Sequence, residues 1–479
     1  MKSLKYIGLG IVALGLFSCT KTEYEEFDAT NGGAANFTTY IAVGNSLTQG
    51  YQDGGLHNEY NQQDNSFPAI IAKQMGTSFV QPTVKSADGS GYRKLLSLAP
   101  NITTVAGVSG WNNWDKNAKY NNLGIAGVKL TDCVPTAGDP FSPTINQVVT
   151  SGNPFGNFLE FGVPLSTPPV SYLEYVKQSS ATFFTCWLGN NDVLGWATAG
   201  GDNGTTTIPG LGTLNLSELT PVSVFRVKYD SILDAFQAMG AKGVCATLPD
   251  VTSIPYFTTV PHNPIPMDAA TASQTNSAYT SYNGGLDSYQ AGGAISAAEV
   301  SRRKINFTAS SSNAIVIEDE SLTTLPGLPN IRQATAADLI ILPASSDIGR
   351  QLDPSNPASI YGVGVAFADS LVLTEAEVAE VQSHTNMLNN EIRTSASNHG
   401  VALADMYSYM FELQAGMTFD GVEYGAKYIE GGAFSLDGVH PNTRGYAIIA
   451  NKFIETINSY YGSNLKPVPV QNYRGIIFP

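Results

Sequence analysis

The stretch "TPVSVFRVKYDSILDAFQAMGAKGVCATL", residues 220–248, changes its hydrophobic period part-way along, and that change sets the fold class. Val222, Phe225, Tyr229, Ile232, Leu233, Phe236 and Met239 share one face at helical spacing, and Gly240 supplies a C-terminal stop. The apolar run "GVCATL" follows at once and reads as a strand. "TEAEVAEVQSHTNMLNNEIRTSASNHG" (374–400) repeats the plan: Thr374 and Glu377 form a capping box, and Val378, Val381, Leu388 and Ile392 line one face. "VALADM" comes straight after as the next strand. Two further helices are predicted. "SFPAIIAKQMG" (66–76) has Ser66 as cap, Pro68 in the first turn and Gly76 as stop. "NTRGYAIIANKFIETINSYYG" (442–462) turns Tyr446, Ile449, Phe453 and Ile457 inward. Helix and strand joined by short junctions predict an α/β fold: a central, mainly parallel sheet with helices on both faces, a three-layer α/β/α sandwich.

The chain has 479 residues, room for one large domain with insertions or for two or three domains. Only 14% of residues are charged and acid is in excess, for a formal net charge of −15. Such a chain repels phosphate backbones, which argues against a nucleic-acid partner. Two regions fit the helix–strand alternation poorly, about 132–172 and 249–374, the second rich in Thr, Ser, Asn, Gly and Pro. Both read as insertions into one domain spanning 38–465, with 466–479 as a C-terminal tail. "NAIVIEDE" and "DLIILPA" suggest extra strands inside the second insertion.

Residues 1–18 read as an export signal. Lys2 and Lys5 form a positive start, Tyr6–Phe17 is an apolar run short for a membrane span, and Leu16-Phe17-Ser18 precedes Cys19. This resembles a bacterial lipoprotein signal, which implies a lipid on Cys19, a flexible tether over 19–37 and an anchored protein outside the inner membrane, on the outer membrane or at the cell surface. Cys133, Cys186 and Cys245 then remain, an odd number that argues against a full disulfide framework; Cys186 and Cys245 sit in apolar strand-like runs and read as buried free thiols.

The chemistry begins at "YIAVGNSLTQGY" (40–51). A buried strand breaks on Gly44-Asn45 and hands over to Ser46, which is either a turn serine or a nucleophile at the mouth of a sheet. A serine hydroxyl becomes a useful nucleophile only when a base takes its proton, and the chain holds 5 histidines. His440, in "FSLDGVHPNTRGY", follows Asp437 by three residues, so that carboxylate and imidazole can meet across one turn. "NNLGIAGVKLTD" (121–132) offers Gly124 and Gly127, whose backbone N–H groups can approach a ligand closely. "TFFTCWLGNNDVLGW" (182–196) ends a strand on Gly189-Asn190-Asn191-Asp192, where an asparagine amide can donate to a developing oxyanion, an effect of about 3 kcal/mol.

These segments, in this order, resemble the four blocks of the SGNH hydrolases, also called GDSL esterases and lipases: Gly44-Asn45-Ser46-Leu47, "NLGIAG", Gly189-Asn190-Asn191-Asp192 and Asp437-Gly-Val-His440. The resemblance spans Thr38 to about Tyr461 and implies the SGNH (flavodoxin-like) form of the α/β/α sandwich. It also implies Ser46 as nucleophile, His440 as general base and Asp437 as its orienting partner. The oxyanion donors would be the Ser46 N–H, the Gly127 N–H and the Asn191 side chain. Gly127 is preferred to Gly124 because the family's donor closes its block. The family's usual aspartate after the first glycine is Asn45 here.

The implied activity is hydrolysis of carboxylic esters, acyl or O-acetyl, with carbohydrate favoured slightly by the polar insertions. The competitors are an O-acyltransferase using the same serine and a surface lipoprotein that binds glycans or a partner on this scaffold. No His-Glu-x-x-His, metal-spaced cysteine pair or phosphate-cradling glycine loop occurs, so neither metal nor cofactor is expected. His57 reads as a solvated loop histidine, and His384 and His399 as structural. Trp196 reads equally as a cleft wall or as core, and Trp111 and Trp114 as a possible sugar platform.

Overall fold

The computed structural model describes residues 32–58, 61–84, 92–98, 102–106, 119–134, 171–201, 205–208, 212–215 and 218–479. The signal segment, Cys19, most of the tether, Trp111, Trp114 and residues 135–170 of the first insertion lie outside the described residues.

Four strands form the central sheet, β1 (Tyr40–Gly44), β2 (Phe183–Trp187), β3 (Lys242–Ala246) and β4 (Ala402–Ala404), paired in that order and parallel throughout. On the far side of β1, Ala42 N–H donates to Asn121 O and Leu123 N–H to Ala42 O, so the segment carrying Gly124 runs beside β1 as a partial fifth strand. β1 and β2 are buried on both faces, which is why they are continuous apolar runs rather than alternating ones.

The helices that matter for the site are α1 (Ser46–Gln49), α2 (Phe67–Met75), α3 (Asn191–Thr198), α4 (Val222–Ala238), α5 (Glu375–Asn398) and α6 (Thr443–Tyr461). Two neighbours on β2 show the three layers. Phe183 meets Tyr461 of α6 edge-on at 5.6 Å, while Phe184 stacks on Phe236 of α4 at 4.0 Å. Successive residues of a strand point to opposite faces, so α4 and α6 cover opposite sides of the sheet. α2 joins α6 through the Phe67–Phe453 stack at 5.0 Å, and α5 lies along α4, with Ser395 Oγ donating to Asp230 Oδ1 at 2.6 Å.

The predicted helices form with their predicted faces, and the Thr374–Glu377 capping box is made. One local reading fails: Ser66 occupies the N-cap position of α2, but its hydroxyl donates to Gln81 Oε1 at 3.2 Å instead of capping the helix. Cys186 and Cys245 face each other across β2 and β3, and these two thiols and Cys133 are buried and free.

Residues 249–374 carry four α-helices, Pro255–Thr258, Ala269–Ala278, Thr280–Ala291 and Ala297–Arg303, and short antiparallel strand pairs. The two suggested strands are present, Val316–Glu318 pairing with Ile331–Gln333 and Leu339–Ile340 with Val372–Leu373. Arg332 is buried there between Asp338, at 2.7 Å, and Asp319, at 2.5 Å, a paired arrangement that a buried guanidinium requires. Its apolar side chains join the same core as the sheet. The 466–479 segment packs against the start of α6, where Thr443 Oγ1 donates to Arg474 O, and Val470 is fully buried.

Candidate active site

β1 ends at Gly44, and Asn45 caps α1, its Oδ1 accepting the Leu47 N–H at 3.1 Å. Asn45 is buried, and among the described residues its Nδ2 has no hydrogen-bond partner. An aspartate could accept the same bond, so the cap survives the exchange of side chains. Ser46 opens α1, which leaves its N–H outside the intrahelical ladder. Its Oγ lies 2.8 Å from His440 Nε2, and His440 Nδ1 lies 2.9 Å from Asp437 Oδ2.

The Asp437–His440 turn is built around the carboxylate. Oδ1 accepts the N–H groups of Val439 and His440, each at 2.8 Å, and the Ser435 hydroxyl at 3.1 Å. Oδ2 accepts the Gly54 N–H at 2.8 Å besides the His440 ring. Burial alone would raise the Asp437 pKa, but the charge of His440 and these donors hold it down to about 2. Gly438 has φ 72°, and a Cβ there would lie 2.8 Å from Leu342 Cδ2 and 3.1 Å from Tyr256 N. The second insertion is therefore packed directly against the turn that carries the imidazole.

On the other side of Ser46, the glycine loop is tied down one N–H at a time. Gly124 donates to Asn122 Oδ1 at 2.9 Å, Ile125 to Gly44 O at 3.1 Å and Ala126 to Gln49 Oε1 at 2.9 Å. Gly127 follows with φ 77°, is exposed, and its N–H has no hydrogen-bond partner among the described residues. Asn191 opens α3, and its Nδ2 donates one N–H to Val128 O at 2.9 Å, which leaves its second N–H without a partner among the described residues and fixes the amide beside Gly127. Asp192, fully buried, accepts the Leu130 N–H at 2.9 Å and the Thr220 hydroxyl at 2.7 Å. Its burial outweighs those bonds and pushes its pKa up to about 6. Sequence reasoning gave no role to Gln49, Asn122 and Asp192, which hold this loop, although all three stand inside the quoted stretches. Tyr51 was missed as well, and its ring lies 4.6 Å from the His440 ring.

The remaining expectations fare differently, and one needs correction. His57 is not solvated: it is buried, stacked on Tyr92 at 3.9 Å, with Nε2 3.3 Å from Asp53 Oδ2. Trp196 is buried in the core and does not line the cleft beside His440. His384 and His399 serve helix packing, bonding to Thr220 O and to Ser395 O and Asp234. Among the described residues, Glu320, Asp369 and Glu377 bring carboxylate oxygens within 4.8 Å of one another, outside the cleft lining. Burial, with Glu320 adding to it, pushes the pKa of Glu377 up to about 7 against its bonds from Thr374.

Residues 316–453 match the family model GDSL-like Lipase/Acylhydrolase, a span that includes Asp437 and His440. That stretch of the chain is similar to GDSL-like lipases and acylhydrolases. No curated protein sequence matches the chain. Among solved structures, a protein from Parabacteroides merdae bearing the name of a GDSL-like lipase has a TM-score of 0.31 and 9% identity, covering 89% of this chain and 99% of its own. A variant of Axe2, an acetyl xylan esterase from Geobacillus stearothermophilus, has a TM-score of 0.30 and 9% identity, covering 89% and 96%. An α/β hydrolase enzyme from the metagenome of Lake Arreo, Spain, has a TM-score of 0.29 and 10% identity, covering 88% and 96%. Likenesses this distant carry nothing about this chain's substrate.

Proposed function

We propose that this protein hydrolyses carboxylic esters through Ser46, His440 and Asp437, with an acyl-enzyme intermediate. The observation that carries the reading is the unbroken chain of contacts from Ser46 Oγ to His440 Nε2, 2.8 Å, and from His440 Nδ1 to Asp437 Oδ2, 2.9 Å. His440 takes the Ser46 proton as Oγ attacks the ester carbonyl, while Asp437 holds the ring in the tautomer whose Nε2 is the acceptor and stabilises the imidazolium. The oxyanion is held by the N–H groups of Ser46 and Gly127 and the free N–H of Asn191. His440 then returns the proton to the departing alcohol, and water, deprotonated by His440 in turn, releases the acid and restores the hydroxyl. A fluorophosphonate probe tests this, because it reacts only with an activated serine. The folded protein should be labelled on the peptide containing Ser46 and should cleave p-nitrophenyl acetate; absence of both sinks the reading.

The anchor belongs to the same proposal. Cys19, preceded by an apolar run and basic residues, would carry the lipid and hold the enzyme at a membrane outside the inner membrane. No helix among the described residues is long and apolar enough to cross a membrane. Cells fed labelled palmitate should mark the wild-type protein and not Cys19→Ser; equal labelling of both would count against it.

A further inference from the structure

A cleft of about 1120 Å³ opens beside His440, and its walls include Tyr51, Arg93, Tyr256 and Tyr428. Arg93 begins the short strand Arg93–Ser97, whose position is set by the Arg93 N–H donating to Asp53 O at 2.6 Å. Its side chain is exposed and, among the described residues, makes no hydrogen bond and no ion pair. That is unusual in this chain: Arg226, Arg302, Arg303, Arg332, Arg350 and Arg393 each face a carboxylate.

The nearby acids are already engaged. Asp437 has both oxygens occupied by the donors given above, and Asp53 accepts the Leu436 N–H at 2.9 Å through Oδ1 and faces His57 through Oδ2. The Arg93 charge nevertheless reaches the ligand-facing rings. Burial raises the pKa of Tyr51 and Tyr428 to about 12 and raises that of Tyr256, and the positive charge of Arg93 opposes the rise at all three phenols. A guanidinium without a partner among the described residues, in a protein of net charge −15, creates a local positive spot in the cleft that His440 also lines. The phenol rings supply flat apolar faces with polar edges, the surface on which a sugar ring packs.

We infer that Arg93 selects ester substrates bearing a carboxylate on the alcohol side, as an O-acylated acidic sugar of a polysaccharide does. This rests on the ester-hydrolase reading of the same site. The guanidinium suits a carboxylate because its parallel N–H groups match the two oxygens. Arg93 acts on binding and takes no part in bond making.

The test uses two aryl acetates that share the scissile group, 4-acetoxybenzoate and the uncharged 4-acetoxybenzamide. The readout is the ratio of their kcat/KM values, which cancels changes common to both. Arg93→Gln should lower the benzoate-to-benzamide ratio about 10-fold, the size expected for losing one hydrogen-bonded charge. Arg93→Glu should lower it further, and Arg93→Lys should keep more of it than Arg93→Gln. Raising sodium chloride to 0.5 M should shrink the wild-type ratio. A ratio unchanged in Arg93→Gln overturns the inference while leaving the hydrolase reading intact. Cleavage of neither acetate by the wild type overturns the hydrolase reading and takes this inference with it. Acetate release from acetylated polygalacturonate should fall in Arg93→Gln relative to release from acetylated xylan; an equal fall on both overturns the assignment to acidic sugars.

Discussion

Ser46→Ala is expected to lower kcat/KM for p-nitrophenyl acetate by about 10⁶-fold, and Asp437→Asn by about 10⁴-fold, with the fold retained in both. The first removes the only atom that forms the acyl-enzyme. Ser46 is buried at 6% exposure, yet among the described residues its Oγ is bonded only to His440, so Ala leaves one small gap and no orphaned core group beyond the imidazole. The second keeps the shape but changes what Nδ1 meets. An asparagine can present an N–H to the ring, which favours the tautomer with the proton on Nε2 and leaves Ser46 without a base. Steady-state rates with circular dichroism on the same samples check both; a drop in Ser46→Ala of less than 100-fold would remove the nucleophile assignment.

Asp437→Asn also has a pH signature. The folded carboxyl titrates at about 2 against 3.8 in the ordinary case, a depressed acid. The stability it contributes is therefore present above about pH 4 and is lost as pH falls towards 2, an effect on the order of 2 kcal/mol. Urea unfolding should show wild type exceeding Asp437→Asn at pH 6, with the gap narrowing between pH 4 and 2.5. A gap that widens on acidification contradicts the ion-paired carboxylate.

The other large effect lies at a residue that touches no substrate. A Cβ on Gly124 would sit 2.4 Å from Gln49 N, 2.8 Å from the Thr48 carbonyl carbon and 2.9 Å from Asn45 O. All three atoms are backbone of the turn that carries Ser46, so no flexible side chain can give way. Gly124→Ala should cost about 1–3 kcal/mol through overpacking. The displaced turn should also slow kcat about 100-fold, because a shift near 1 Å breaks the attack geometry. Gly284 is the matched control: it lies in the helix Thr280–Ala291 with nothing within 4 Å of an added Cβ. Gly284→Ala should leave kcat unchanged and raise stability slightly. Thermal melts beside kcat measurements decide; a Gly124→Ala enzyme with wild-type kcat would show that the turn tolerates the shift.

Local pattern reached far in this chain. The helix period over 222–239 with Gly240, the capping box of Thr374 and Glu377, and the buried strand before Gly44 are short-range properties, set by side-chain spacing and backbone allowance, and each appears in the structure where the residues predicted it. The reading of Ser66 erred within the same range, because a hydroxyl takes the better partner that tertiary contact offers, here Gln81. His57 erred for a related reason. "DGGLHNEYNQQDN" is polar enough to suggest solvent, and only folding brings Tyr92 onto the imidazole face.

Sequence by itself determined the residue types at the site and their order along the chain, since a nucleophile, base and acid are chemical identities that need no coordinates to be named. Tertiary structure alone decided which N–H groups stay unbonded, which loop from residues 249–374 walls the cleft, and that Arg93 lines the same cleft as His440 without a carboxylate partner among the described residues. The reason is distance along the chain: Ser46 and His440 are separated by 394 positions and Arg93 by hundreds from Tyr428, so their meeting depends on how the whole sheet and its insertion close, which no local periodicity records.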